Sequence, residues 1–233
     1  VFLIFGIVRR LVVLAAVLAI PAVALELVAR KVVGDAVASQ VKTAFGGAPA
    51  VDFGSTPLLE QIAEGHVNVT ITDARAAVAG LPPAALSASF EDVHMTSLLG
   101  LHGAIGSVTA TAGLGPHRVR ALLASSGCIT ALPASALVAL TDRPRVRLRT
   151  GRITLLPPHG RAVVVRVVPL ESRSRLAFDV VSVTADGQAI AGAGGGCVAA
   201  VGALPFGLAF TGVSATNGML ELAFSGHGAS FTG

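Results

Sequence analysis

Residues 204–224 read L-P-F-G-L-A-F-T-G-V-S-A-T-N-G-M-L-E-L-A-F, and the fold turns on their pattern. Phe206, Leu208 and Phe210 alternate with Gly207, Ala209 and Thr211, and beyond Asn217-Gly218 come Leu220, Leu222 and Phe224. Side chains on a strand point to opposite faces in turn, so this period of two marks a strand with one buried face. Asn-Gly supplies the positive-φ residues of a two-residue hairpin turn. The stretch predicts an antiparallel hairpin with one large apolar face.

The same period recurs upstream. In H-V-N-V-T-I-T, residues 66–72, Val67, Val69 and Ile71 oppose Asn68, Thr70 and Thr72, the signature of a half-buried strand. Ala84 to Met95 and Ile105 to Leu114 are further strand candidates. Ala162 to Val168 is an apolar run broken only by Arg166, and Leu176, Phe178 and Val180 share a face opposite Arg175 and Asp179. Helical spacing is confined to three segments. In Leu25 to Phe45, Val28, Val32, Ala36 and Val41 recur near helical spacing and Gly46-Gly47 ends the run; Pro57 to Glu64 begins with Pro; Pro116 to Ser125 carries Leu122 and Leu123. Residues 185–203, rich in Gly and Ala, read as a flexible loop. The fold class is α+β with antiparallel sheet predominant, in one domain over residues 25–233.

Composition adds a membrane context. Of 233 residues, 53% are hydrophobic and 13% charged, against roughly 25% charged in ordinary globular domains. Arg9-Arg10, the apolar run Leu11 to Leu25 and Ala22-Val23-Ala24 form an export signal over residues 1–24, either cleaved after Ala24 or kept as an anchor to the inner membrane. As a helix the run spans about 23 Å, short of the roughly 30 Å hydrocarbon core. The chain is expected in the periplasm or cell envelope.

Charge is concentrated in the middle. Setting aside Arg9 and Arg10, the 17 basic residues become 15, against 13 acidic ones, so the overall excess is small. Residues 118–175 carry 11 basic side chains with only Asp142 and Glu171 as acids, and no Lys or Arg follows Arg175. Within that segment Arg143, Arg145, Arg147 and Arg149 stand at two-residue spacing, which on a strand aligns them on one face opposite Val146 and Leu148. Ile153 and Leu155 reverse the apolar phase, so a bulge or tight turn is expected at Thr150-Gly151. The stripe either coats a solvated sheet edge or faces an anion, a phosphate or carboxylate, for which the guanidinium fork is suited. Nucleic acid is disfavoured: the chain has no Trp or Tyr, and its Phe are not interleaved with the arginines.

Enzyme signatures are missing. The sequence contains no G-x-S-x-G, H-E-x-x-H, C-x-x-C or Walker loop, and its six histidines are isolated from one another. The Gly192 to Gly196 run lacks the flanking strand and helix of a dinucleotide site. The reading is of a non-enzymatic protein with no metal and no cofactor.

Three runs together resemble the LmeA-like phospholipid-binding family of actinobacterial envelopes. They are V-D-F-G-S-T-P-L-L-E-Q-I-A-E-G-H-V-N-V-T-I at 51–71, A-G-L-P-P-A-A-L-S-A-S-F-E-D-V-H at 79–94 and L-P-F-G-L-A-F-T-G-V-S-A-T-N-G-M-L-E-L at 204–222. The resemblance implies an elongated, strongly curved antiparallel sheet wrapped around a long helix, like tubular lipid-binding domains, with acyl chains in an apolar cavity. It also implies a role in envelope lipid or lipoglycan metabolism. On that reading Leu98, Leu99, Leu122, Leu123, Phe178, Phe206, Leu208, Phe210, Leu222 and Phe224 line the cavity, and Arg143, Arg145, Arg147 and Arg149 meet the headgroup or membrane. The partners are a phospholipid and an anionic membrane surface. The rival reading is a membrane-anchored accessory protein for an envelope glycosyltransferase, with no lipid pocket.

Cys128 and Cys197 are the only cysteines. Export to an oxidising compartment permits one disulfide between them, and the alternative is two buried thiols. Mass spectrometry after alkylation without reduction separates the two: a disulfide leaves both cysteines unmodified, whereas two alkylated residues exclude it.

Overall fold

The computed structural model describes residues 23–43, 47, 49–76, 84–97, 102–125, 144–156, 161–169, 175–185, 188–189, 195–200, 204–216 and 218–231. Residues 1–22 of the expected export signal, Leu98, Leu99, Cys128 and Arg143 lie outside them. The fold is sheet-dominated α+β and, among the described residues, the ladders are antiparallel.

Residues 23–43 form helix α1. Strand β1 (Ala50–Asp52), helix α2 (Leu58–Ala63), β2 (Val67–Ala76), β3 (Ala84–Ser97), β4 (His102–Leu114) and helix α3 (Pro116–Ser125) follow. Then come β5 (Arg145–Arg149), β6 (Arg152–Leu156), β7 (Arg161–Pro169), β8 (Arg175–Ala185), β9 (Gln188–Ala189) and β10 (Gly195–Ala200). A 3-10 turn at Pro205–Gly207 leads into β11 (Ala209–Thr216) and β12 (Met219–Phe231). The first sheet has the order β1-β2-β3-β4-β12-β11, and the second β10-β8-β7-β6-β5 with β9 beside β8. The two meet where the Gly151 N–H donates to Ala215 O at 3.1 Å.

The closing hairpin pairs Phe210 with Phe224, Val213 with Leu222 and Thr216 with Met219 across the turn at Gly218, but Phe206 and Leu208, expected on the strand, lie in the 3-10 turn and just after it, before β11 begins at Ala209. A bulge between Phe210 and Gly212 then shifts the register. In the first sheet Val69, Ile71, Leu86, Phe90, Ala110, Leu114, Leu220 and Phe224 are buried on one face, and Thr70, Thr72, Ser87, Thr109 and Thr111 are exposed on the other. A second bulge sits at Asp92, whose φ is +53°, and moves the buried phase of β3 from Phe90 to Val93. Gly106 of β4 lies directly beneath: a Cβ there would stand 2.8 Å from that of Asp92.

Two other expectations change. In α1 the inward stripe is Val33 and Val41, buried, with Ala29 and Val37 half-buried, while Val28 and Val32 are exposed. The helix is Val- and Ala-rich on several sides, so periodicity could not choose its face. Residues 195–200, expected in a loop, form a strand along β8, with Cys197 opposite Phe178. Glycine carries no side-chain pattern, and only the open edge of β8 defines this strand.

Gln61 is the buried polar side chain that joins α2 to the sheet. Its Nε2 donates to Phe53 O and Thr56 O, both at 3.0 Å, and its Oε1 accepts the Asn68 N–H at 2.9 Å. Replacing it by Leu leaves buried backbone groups unpaired, at about 1–3 kcal/mol each. Gln61→Leu is expected to lower the melting temperature by roughly 10 °C, measured by circular dichroism.

Candidate functional site

The apolar inner face of the first sheet needs a cover, and α1 supplies it. Between them lies a void of about 60 Å³ lined by Ala36, Val37, Gln40 and Val41 of α1, Val69 and Ile71 of β2, Phe90 and Val93 of β3, Ile105 of β4 and Phe206. Its lining exposes no polar surface, so it suits alkyl groups.

Phe206 closes one side under backbone strain. Its φ of +58° is uncommon for a bulky residue. The 3-10 turn holds that conformation: Pro205 fixes the preceding φ, and the Phe206 ring meets Phe90 edge-on at 5.5 Å and 88°. Gly226 of β12 admits the turn, since a Cβ there would approach Phe206 O and Gly207 O at 3.0 Å.

A polar latch secures the other end of α1. Glu26 Oε1 accepts hydrogen bonds from Arg30 Nε and from Leu58 N–H, both at 2.6 Å, and its Oε2 accepts Leu59 N–H at 3.0 Å. Arg30 then donates to Gly54 O at 3.2 Å and Thr56 O at 2.8 Å. α2 has no side-chain cap of its own, so Glu26 caps it from another helix. The Arg30 hydrogen bond, with smaller help from the Leu59 and Leu58 N–H groups, holds the Glu26 carboxyl below its ordinary pKa against the opposing effect of burial. α1 is thus clamped through Glu26 and Arg30, while Ala36 to Val41 rest over the void.

Of the lining residues expected from sequence, Phe206 borders the void. Leu122, Leu123, Phe178, Leu208, Phe210, Leu222 and Phe224 are buried in the core and do not border it. The signal that finds the void is a conjunction, the inward stripe of α1 against the inward residues of β2, β3 and β4. Arg145, Arg147 and Arg149 are exposed on β5, as the alternation requires. The turn at Thr150-Gly151 returns Arg152 of β6 beside Arg149, and these two with Arg147, Thr154, Leu156 and Val164 border an open groove of about 310 Å³. Cys197 is disulfide-bonded. No group of three or more His, Cys, Asp and Glu gathers among the described residues.

The Glu26 latch makes a signed prediction. A carboxylate with a depressed folded pKa contributes stability that is present above its unfolded value, near 4.5, and is lost as pH falls through the folded value. Hydrogen exchange of the amides of residues 33–41 is expected to accelerate on acidification below that range, after correction for intrinsic exchange. Glu26→Gln should accelerate it at neutral pH by about tenfold or more, the loss of charged hydrogen bonds being roughly 1.5–3 kcal/mol, and should blunt the acid response.

No curated protein and no solved structure matches the chain. One family model matches residues 24–225, and the chain belongs to the LmeA-like phospholipid-binding family.

Proposed function

We propose that the protein is a non-enzymatic carrier of phospholipid in the cell envelope, with acyl chains held between α1 and the inner face of the first sheet, and that it supports envelope lipid or lipoglycan metabolism. The observation that carries this reading is the wholly apolar void under one part of a helix that is clamped elsewhere. At about 60 Å³ the void is smaller than an engineered cavity of about 150 Å³ that admits benzene. Acyl chains therefore require residues 36–41 to lift while Glu26 and Arg30 hold, which opens the apolar faces of β2 to β4 to the lipid. The sheet then curves around helix and ligand together, in the tubular arrangement that the sequence anticipates.

Energetics favour exchange at a membrane. Burying acyl chains gains about 0.8 kcal/mol per methylene relative to water. The bilayer offers nearly the same environment, so transfer between bilayer and protein is close to neutral while loss into water is steeply unfavourable. The small void also favours the second reading, an accessory protein for an envelope glycosyltransferase that needs no lipid pocket.

Native mass spectrometry of gently purified protein, and of delipidated protein re-exposed to phosphatidylglycerol in mixed micelles, tests the first reading. One bound phospholipid per chain is expected. Val37→Trp, which fills the void from the half-buried face of α1, should lower uptake at least tenfold with a normal melting curve. Loss of uptake in Leu208→Trp but not in Val37→Trp would move the lipid to the interior of the closing hairpin. Absence of lipid from the parent protein in both preparations would leave the accessory reading.

A further inference from the structure

The second sheet turns an unusual face to solvent. Arg145, Arg147 and Arg149 of β5, Arg152 of β6, Arg166 of β7 and Arg175 of β8 are all exposed on it, and Asp179 is the only acid among the described residues of that sheet. Asp179 stands directly opposite Arg166 across β7 and β8, but no ion pair forms on this face among the described residues. The ion pairs of the described residues are Glu26–Arg30 and Lys31–Asp35, both elsewhere, and His66 lies 3.5 Å from Glu64, also elsewhere. Arg149 and Arg152 are even direct cross-strand partners, an arrangement that costs stability through like-charge repulsion.

Protection of a sheet edge does not explain this. Of the strands that carry these arginines only β5 is an edge strand; β6, β7 and β8 have neighbours on both sides, yet each presents an arginine. Nor does the fold demand it, because the molecule contains its own control. The outward face of the first sheet meets the same requirement without arginine, with Thr70, Thr72, Ser87, Thr109 and Thr111 beside Glu91, Glu221 and Met219. The arginine face instead intersperses apolar side chains: Val181, at the bulge of β8, is 57% exposed, Val198 of β10 is 45% exposed, and Leu156 and Val164 are half-buried beside Arg147, Arg149 and Arg152. Guanidinium groups around exposed aliphatics match a bilayer interface, where cations meet lipid phosphates and short apolar groups enter the headgroup layer. At its β5 edge, Arg120 of α3 faces Arg145 and Arg147 across a second groove and extends the cationic zone.

We infer that the outward face of the second sheet is a docking surface for an anionic phospholipid bilayer, with the arginines on lipid phosphates and Val181 and Val198 in the headgroup region. This surface is distinct from the void under α1, so the inference stands whether or not a lipid is held there.

The test is cosedimentation of the full chain with phosphatidylcholine vesicles prepared with and without phosphatidylglycerol, over a range of salt. The readout is the ratio of the two affinities, which cancels any contribution of the apolar leader. For Arg147→Ser/Arg149→Ser/Arg152→Ser the ratio is expected to fall roughly a hundredfold at low salt, since each arginine near an anionic surface contributes about 1 kcal/mol. Its salt dependence should flatten, exposed charges being screened over about 10 Å at 0.1 M. Val181→Ser/Val198→Ser should weaken binding to phosphatidylglycerol vesicles by about tenfold with the salt dependence unchanged. Circular dichroism melts establish that each variant folds, and native mass spectrometry of lipid uptake from micelles separates a lost docking face from a lost lipid site. An unchanged ratio in the arginine variant would overturn the inference. So would a parent chain that binds a single-stranded oligonucleotide with the affinity and salt dependence of the anionic vesicles, because the face would then recognise polyanions in general.

Discussion

An antiparallel sheet with one apolar face must have that face covered, and most of this structure follows from how the cover is made. The inner side chains of β2, β3, β4 and β12 form one hydrophobic surface. α1 covers part of it with Ala29, Val33, Val37 and Val41, side chains too small to fill every hollow they span. Packing that is otherwise tight thus leaves an apolar void between Val37, Ile71, Phe90 and Phe206. A helix with Leu or Phe at those positions would occupy more of that space and hold the sheet more strongly, because buried hydrocarbon stabilises in proportion to area.

The remaining attachment of α1 is polar and local. Glu26 and Arg30 bond to backbone groups of residues 54, 56, 58 and 59, whereas the contact near Ala36 to Val41 is apolar. Hydrogen bonds of this kind are directional and fix a position, while contacts between small aliphatic side chains allow sliding and separation at modest cost. The strained Phe206 stands at the weakly held region, consistent with the general tendency of backbone strain to gather where a ligand is handled.

The two outward sheet faces show how much freedom a fold leaves to its surface. Both belong to antiparallel ladders with a buried reverse side, and both satisfy their backbone hydrogen bonds within the sheet. One carries mainly hydroxyls with Glu91, Glu221 and Met219, the other guanidinium groups and exposed valines, and folding requires neither choice.

Much of the ladder was legible in the sequence because strand alternation is local: the inward set of Val67, Val69 and Ile71, the hairpin of Phe210 and Phe224, the turn at Gly151 and the alignment of Arg145, Arg147 and Arg149 all depend on neighbours a few residues away. Tertiary structure decided what depends on distant neighbours. Gly195 to Ala200 became a strand because β8 had an unpaired edge; α1 turned Val33 and Val37 rather than Val28 and Val32 to the core because its clamp to residues 54–59 sets its rotation; and Arg152 joined the arginine stripe because a two-residue turn folds it back beside Arg149. The void is of the same kind. Each of its walls is an ordinary apolar residue in its own segment, and only the packing of one helix on three strands leaves space between them.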